Sequence, residues 1–159
     1  MHGDVVTDRT RNRPLARNLG ERPEKADPAP VVFVVDDDVS TLALLSDVAE
    51  ESGWTARGFT RLREFEAELD ARRPDLVILD DDLPDGSGGD RARELGANRS
   101  MRGVPILVCT AAHPMRQAEI GAWAPVISKP FDLGEVERFL HTAADARSNG
   151  HRAGGQAAG

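Results

Sequence analysis

The 159-residue chain has little of several things that would assign a function class quickly: one cysteine, no tyrosine, 4% aromatic residues and no long apolar run. The single cysteine, Cys109, excludes an internal disulfide and fits a reducing compartment. It lies in the run Ile106-Leu107-Val108-Cys109 and reads as a buried structural thiol rather than a nucleophile. The four histidines show no Cys/His spacing of the zinc-binding kind. His113 and His141 read as exposed residues, and His2 and His151 fall in the terminal segments. No apolar run approaches the roughly 20 residues a membrane span needs. The N-terminus also lacks the apolar core of an export signal, so the expectation is a cytoplasmic protein with no membrane partner. Basic residues are outnumbered, 20 Lys and Arg against 27 Asp and Glu, for a net charge of −7. This balance argues against a nucleic-acid-binding surface.

What is present is concentrated at the ends of short apolar runs. Leu76-Val77-Ile78-Leu79 leads into Asp80-Asp81-Asp82, and the chain then turns at Leu83-Pro84-Asp85-Gly86. Val31-Val32-Phe33-Val34-Val35 leads likewise into Asp36-Asp37-Asp38. Uninterrupted apolar runs bounded by turn formers predict strands buried on both faces. The acids then stand at the carboxyl ends of these strands, where open α/β sheets place their ligand sites. If the two strands are neighbours, five or six carboxylates converge, which requires a cation. Oxygen-only ligands favour Mg²⁺.

Read in order, residues 1–29 form an arginine-rich segment without apolar period, expected to be a disordered arm. A domain over 30–147 follows. The predicted strands are 31–36, 54–59, the run ending at Asp80, 105–110 and 125–128. Between them, Val39–Ser52 carries an apolar stripe of Leu42, Leu45, Val48 and Ala49, with Gly53 as the residue that ends the helix. Thr60 is expected to cap a helix over 61–72. Weaker helices are expected over 89–98 and 113–123. Asp132, with Glu135 in a capping-box arrangement, opens a last helix with Leu133, Val136, Phe139, Leu140 and Ala143 on one face. Residues 148–159 read as a flexible tail. Five strands alternating with five helices imply a parallel sheet covered on both faces.

Four features terminate separate strands: Asp36-Asp37, Asp80, Thr110 and Lys129. With Asp80-x-x-Leu83-Pro84-x-x-Ser87-Gly88, Thr110-Ala111 and Lys129-Pro130-Phe131, they resemble the receiver domain of bacterial two-component response regulators over residues 31–146. The resemblance implies a flavodoxin-like (βα)5 doubly wound five-stranded parallel sheet in the order 2-1-3-4-5. Carried over, Asp80 is the phosphoacceptor and Thr110 and Lys129 contact the phosphoryl group. Asp37 ligates Mg²⁺ directly, Asp36 helps hold it partly through water, and Asp82 offers its backbone carbonyl. The implied partners are a histidine kinase or histidine phosphotransfer protein and a downstream protein target, for a monomer or weak dimer. The implied role is signalling, with no catalysis beyond the domain's own phosphorylation and dephosphorylation.

The chain departs from the family pattern at Leu83 (usually Met), Ser87 (usually Asp) and Val126, where many members carry an aromatic switch residue. The stretch from Thr110 to Lys129 is short by most of a helical turn. Asp81 reads as a solvated loop acid. With twelve residues after 147, the expectation is a stand-alone receiver. Two alternatives remain at this point. One is a receiver-like adaptor that is not phosphorylated. The other is a phosphatase resembling the haloacid-dehalogenase type, in which Asp36-x-Asp38-x-Ser40 would make Asp36 the nucleophile.

Overall fold

A computed structural model describes residues 27–154. The expected N-terminal arm lies outside the described residues except for its last three, which are exposed. The elements are β1 (Val31–Val35), α1 (Val39–Glu51), β2 (Thr55–Phe59), α2 (Leu62–Ala71), β3 (Leu76–Asp80), the two-residue strands β4 (Asp82–Leu83) and β5 (Gly86–Ser87), α3 (Gly88–Ala97), β6 (Ile106–Thr110), α4 (Pro114–Gly121), β7 (Val126–Ser128) and α5 (Leu133–Gly154). Five parallel strands form one sheet in the order β2-β1-β3-β6-β7. Counted without the small β4-β5 hairpin, this is the expected 2-1-3-4-5 order of a flavodoxin-like domain.

The three apolar runs occupy the middle of the sheet. β3 and β6 are buried at every position and β1 at four of five, as strands covered on both faces must be. The pleat divides their side chains between two cores. Phe33, Val35, Val77, Leu79 and Val108 meet Phe65, Leu95 and Ile120 on the side of α2, α3 and α4. Val32, Val34, Ile78, Leu107 and Cys109 meet Leu45, Val48, Trp54, Val136 and Leu140 on the side of α1 and α5. Burial pushes the Cys109 thiol up to about 12, so it is a structural thiol with almost no thiolate at neutral pH.

Two helix ends differ from expectation. Thr60 does not cap α2; Asp85 does so from the turn after β3, accepting from Leu62 N at 2.9 Å and Arg63 N at 3.0 Å. A carboxylate 23 residues away can satisfy the first orphan N–H groups as well as a local hydroxyl. Those backbone donors, Arg63 foremost, hold the Asp85 carboxyl below its usual range. At the other end of the chain, α5 runs to Gly154, seven residues beyond the expected domain limit of 147 and through seven of the twelve residues of the expected flexible tail. Ser148, Asn149 and Gly150 are poor helix formers, but Arg147 Nε pairs with Asp75 Oδ1 at 3.1 Å, and Asp75 Oδ2 also accepts from Val31 N at 2.8 Å. This anchor joins α5 to the amino ends of β1 and β3 just before the extension. Asp132 caps α5 as expected, accepting from Gly134 N at 2.8 Å, with no return bond from Glu135 among the described residues.

Candidate functional site

Register brings the acids together. Val35 is level with Leu79 across the β1–β3 ladder, so Asp36 and Asp80 stand side by side one residue further on. Both follow the parity of Val34 and Ile78 and so share the α1/α5 side of the sheet. Asp36 is 1% exposed and Asp80 6%. Carboxylate oxygens of Asp36, Asp37 and Asp80 all lie within 4.8 Å of one another.

Lys129 closes the group. Its backbone N–H donates to Thr110 O at 2.8 Å, just past the β6–β7 ladder. Its ammonium donates to Asp36 Oδ2 at 2.6 Å and lies 3.2 Å from Asp80 Oδ1. Burial works against its positive charge, but the hydrogen bond and charge of Asp36, with Asp80 behind, outweigh that and raise its pKa. Burial, followed by the neighbouring Asp36 charge, raises the Asp80 carboxyl, while Lys129 opposes the shift. Asp36 Oδ1 accepts from Asp38 N at 2.9 Å, so both its oxygens are engaged. Asp37 is exposed, with no hydrogen bond to its carboxylate among the described residues.

Thr110 ends β6 on the opposite, α3/α4 side. It is buried, and its Oγ1 accepts from Ala112 N at 3.0 Å. Gln117 of α4 donates to Ala112 O at 2.7 Å and to Ser128 Oγ at 3.1 Å, which pins the loop after Thr110 to the end of β7. Asp37, Asp80, Asp82, Thr110 and Lys129 all line one open cleft of about 640 Å³ at the carboxyl edge of the sheet. Asp82 is exposed at its rim.

Asp81 is not a solvated loop acid. Alternation turns it to the α3/α4 side, where it is 9% exposed. Its Oδ1 accepts from Ser87 Oγ at 2.7 Å and Gly89 N at 2.9 Å, and Arg116 of α4 holds both of its oxygens at 3.2 Å. Burial works to raise its pKa, but the bonds from Arg116, Ser87 and Gly89 prevail and hold it below the usual carboxylate range. Arg116 lines the same cleft, and sequence reasoning missed it. The one available signal was the pleat, which places the residue after Asp80 on the other face of the sheet.

Close packing under the cleft depends on glycine. Gly88 N donates to Asp81 O at 3.0 Å, and a Cβ at Gly88 would stand 1.9 Å from the Asp80 carbonyl oxygen. Gly88→Ala must therefore push α3 away from the end of β3. Urea unfolding should show a loss of about 3 kcal/mol, the upper range for overpacking. An unchanged midpoint would mean that the approach relaxes freely.

A doubly wound parallel sheet that gathers acids from two neighbouring strands, a threonine from the next and a lysine from the edge strand defines the receiver class of flavodoxin-like domains. The response regulator receiver domain matches residues 32–141, and the chain belongs to that family. It is 33% identical over 115 residues to the KDP operon transcriptional regulatory protein KdpE of Escherichia coli, covering 70% of this chain and 50% of the relative. The chain thus spans about half the length of the transcriptional regulators it matches. It is 31% identical over 117 residues to the polar-differentiation response regulator DivK of Brucella ovis, covering 70% of this chain and 90% of DivK. The fold is similar to the solved structure of the chemotaxis response regulator CheY4 of Vibrio cholerae, with a TM-score of 0.64 at 23% identity, covering 72% of this chain and 98% of that one. No helix among the described residues is long and apolar enough to cross a membrane.

Proposed function

We propose that the chain accepts a phosphoryl group on Asp80 from a phosphohistidine of a kinase or phosphotransfer protein, and signals through protein–protein contact in the cytoplasm. The observation that carries this reading is Lys129 bridging Asp36 and Asp80 in a cleft that Thr110 also lines. An Asp80 carboxylate oxygen attacks phosphorus, the P–O bond forms, and the P–N bond to the donor imidazole breaks. Such transfers pass through a loose transition state, so the protein's contribution is positioning and charge neutralisation. Lys129 already stands within reach of an oxygen on Asp80, and the Thr110 hydroxyl supplies a hydrogen-bond donor to the phosphoryl oxygens.

The acid group suits Mg²⁺. Oxygen atoms of the three carboxylates lie within 4.8 Å of one another, close enough for one small cation to be shared among oxygen ligands after slight contraction. Asp37, with no hydrogen bond to its carboxylate among the described residues, and Asp80 would be direct ligands; Asp36, engaged on both oxygens, would hold the ion through water. The Asp82 carbonyl completes the proposed set. The ion, when bound, neutralises charge on the transferring oxygens. The phosphatase-like alternative is disfavoured, because Asp36 is the more deeply buried acid and has no free oxygen to attack with. A receiver-like adaptor without phosphorylation is the second alternative, and the filled acceptor, lysine and threonine positions weigh against it.

Incubation with a small phosphodonor and Mg²⁺ should place one acid-stable, base-labile phosphoryl group on the peptide containing Asp80. Label elsewhere, or none, would overturn the reading. Mg²⁺ binding to the native acids should also stabilise the fold, by about 2.7 kcal/mol at roughly a hundredfold excess over Kd. Thermal midpoints with and without the ion measure this. Asp37→Asn should remove most of the shift, and the absence of any shift in the parent would exclude the proposed ligand set.

A further inference from the structure

The least expected residue at the cleft is Arg116. Its guanidinium serves three carboxylates at once: Asp81 through Nε and Nη2, Asp90 Oδ1 through Nη2 at 2.9 Å, and Glu119 Oε2 through Nη1 at 3.0 Å. Nη2 also donates to Ser87 Oγ at 2.8 Å. One positive charge against three negative leaves a surplus of two acids around a cation on the wall of the cleft that Asp80 enters.

Building on the Asp80 reading above, we propose that Arg116 is a second phosphoryl-binding cation, held in reserve on Asp81 and drawn onto the Asp80 phosphoryl group once it forms. Phosphorylation adds about −1.5 to −2 of charge to the residue next to Asp81, on a group whose nearest cation, Lys129, is already shared by two acids. A planar guanidinium is the side chain best matched to phosphate oxygens.

The present partners allow the move. Asp90 and Glu119 side chains are 64% and 58% exposed, so water replaces Arg116 at little cost. Asp81 is the one buried partner, and it is not orphaned when Arg116 leaves. Ser87 Oγ and Gly89 N still donate to it, which offsets part of the cost of separating a buried carboxylate from its cation.

The consequence falls on α4. Arg116 lies in its first turn, beside Gln117, which ties Ala112 to Ser128. Transfer of the guanidinium from Asp81 toward Asp80 loosens α4 from α3 and tightens it on the cleft. This gives α4 a mobile side chain in a protein where Val126 offers no aromatic bulk to swing.

The test is a double-mutant cycle on the affinity for beryllofluoride, a phosphoryl mimic, in saturating Mg²⁺. Arg116→Gln should weaken binding on the order of tenfold, the value of one charge-assisted contact. Asp81→Asn should tighten it, because Arg116 is then released, and that gain should vanish in the Arg116→Gln background. If Asp81→Asn tightens binding equally in both backgrounds, only the electrostatic field has changed and Arg116 makes no contact. Equal weakening by both single variants would mean that the pair merely positions the acceptor loop; either result overturns the proposal. Failure of the parent protein to bind beryllofluoride, or full binding by Asp80→Asn, would instead overturn the acceptor reading itself.

Discussion

Asp80→Asn should reduce phosphoryl incorporation from a small phosphodonor to background while leaving the fold intact. The nucleophilic oxygen is lost, and the adjacent buried acids are poorly placed to replace it: Asp36 is engaged by Lys129 and by its own turn, and Asp81 faces the other side of the sheet. Asp36→Asn, by contrast, should slow labelling without moving the site. The same Asp80 substitution should raise the thermal midpoint of the metal-free protein, because burial and the Asp36 charge lift the pKa of the Asp80 carboxyl. A carboxyl raised in the folded state destabilises the fold once pH exceeds its ordinary value, and an amide carries no such penalty. Residual label in Asp80→Asn that is lost on Asp36→Asn would establish Asp36 as the acceptor.

Lys129→Met should lower stability by an amount comparable to the loss expected for Gly88→Ala. Among the described residues, it leaves Asp36, 1% exposed, with no cation and removes the one paired with Asp80. Breaking a buried pair from one side costs about 3–5 kcal/mol; with Lys129 20% exposed, a value of about 2–3 kcal/mol is expected from denaturant unfolding without metal. Mg²⁺ should restore much of it by returning positive charge to the acids. The pH profile supplies the sign. The raised pKa of Lys129 contributes stability that is fully present below the ordinary lysine value and is lost as pH rises through the folded one. The parent should therefore lose stability at strongly alkaline pH, and Lys129→Met should lack that component. A variant as stable as the parent at neutral pH without Mg²⁺ would show that the bridge contributes nothing net.

Arg116 extends the same electrostatic logic to the other side of the sheet. Lys129 compensates the acids that face α1 and α5, and Arg116 compensates the acid that faces α3 and α4. Two cations on opposite sides of one strand end give this site a charge balance that the motif residues alone do not describe.

Much of this was legible along the chain. The apolar runs at β1, β3 and β6, the stripe of α1 and the polar residues that end each strand follow from local rules, because a strand buried on both faces must be apolar throughout and must turn polar where it leaves the core. Strand order and the convergence of Asp36, Asp80, Thr110 and Lys129 followed once those runs were matched to a family pattern. Four features were decided by tertiary structure: the inward placement of Asp81, its pairing with Arg116 35 residues away, the capping of α2 by Asp85, and the docking of α5 through Arg147 on Asp75 72 residues back. In each, a charged side chain looks locally like solvent-facing loop or helix surface. Whether it is buried depends on the partner that the crossovers deliver, since a charge leaves water only where an opposite charge or free N–H groups are waiting.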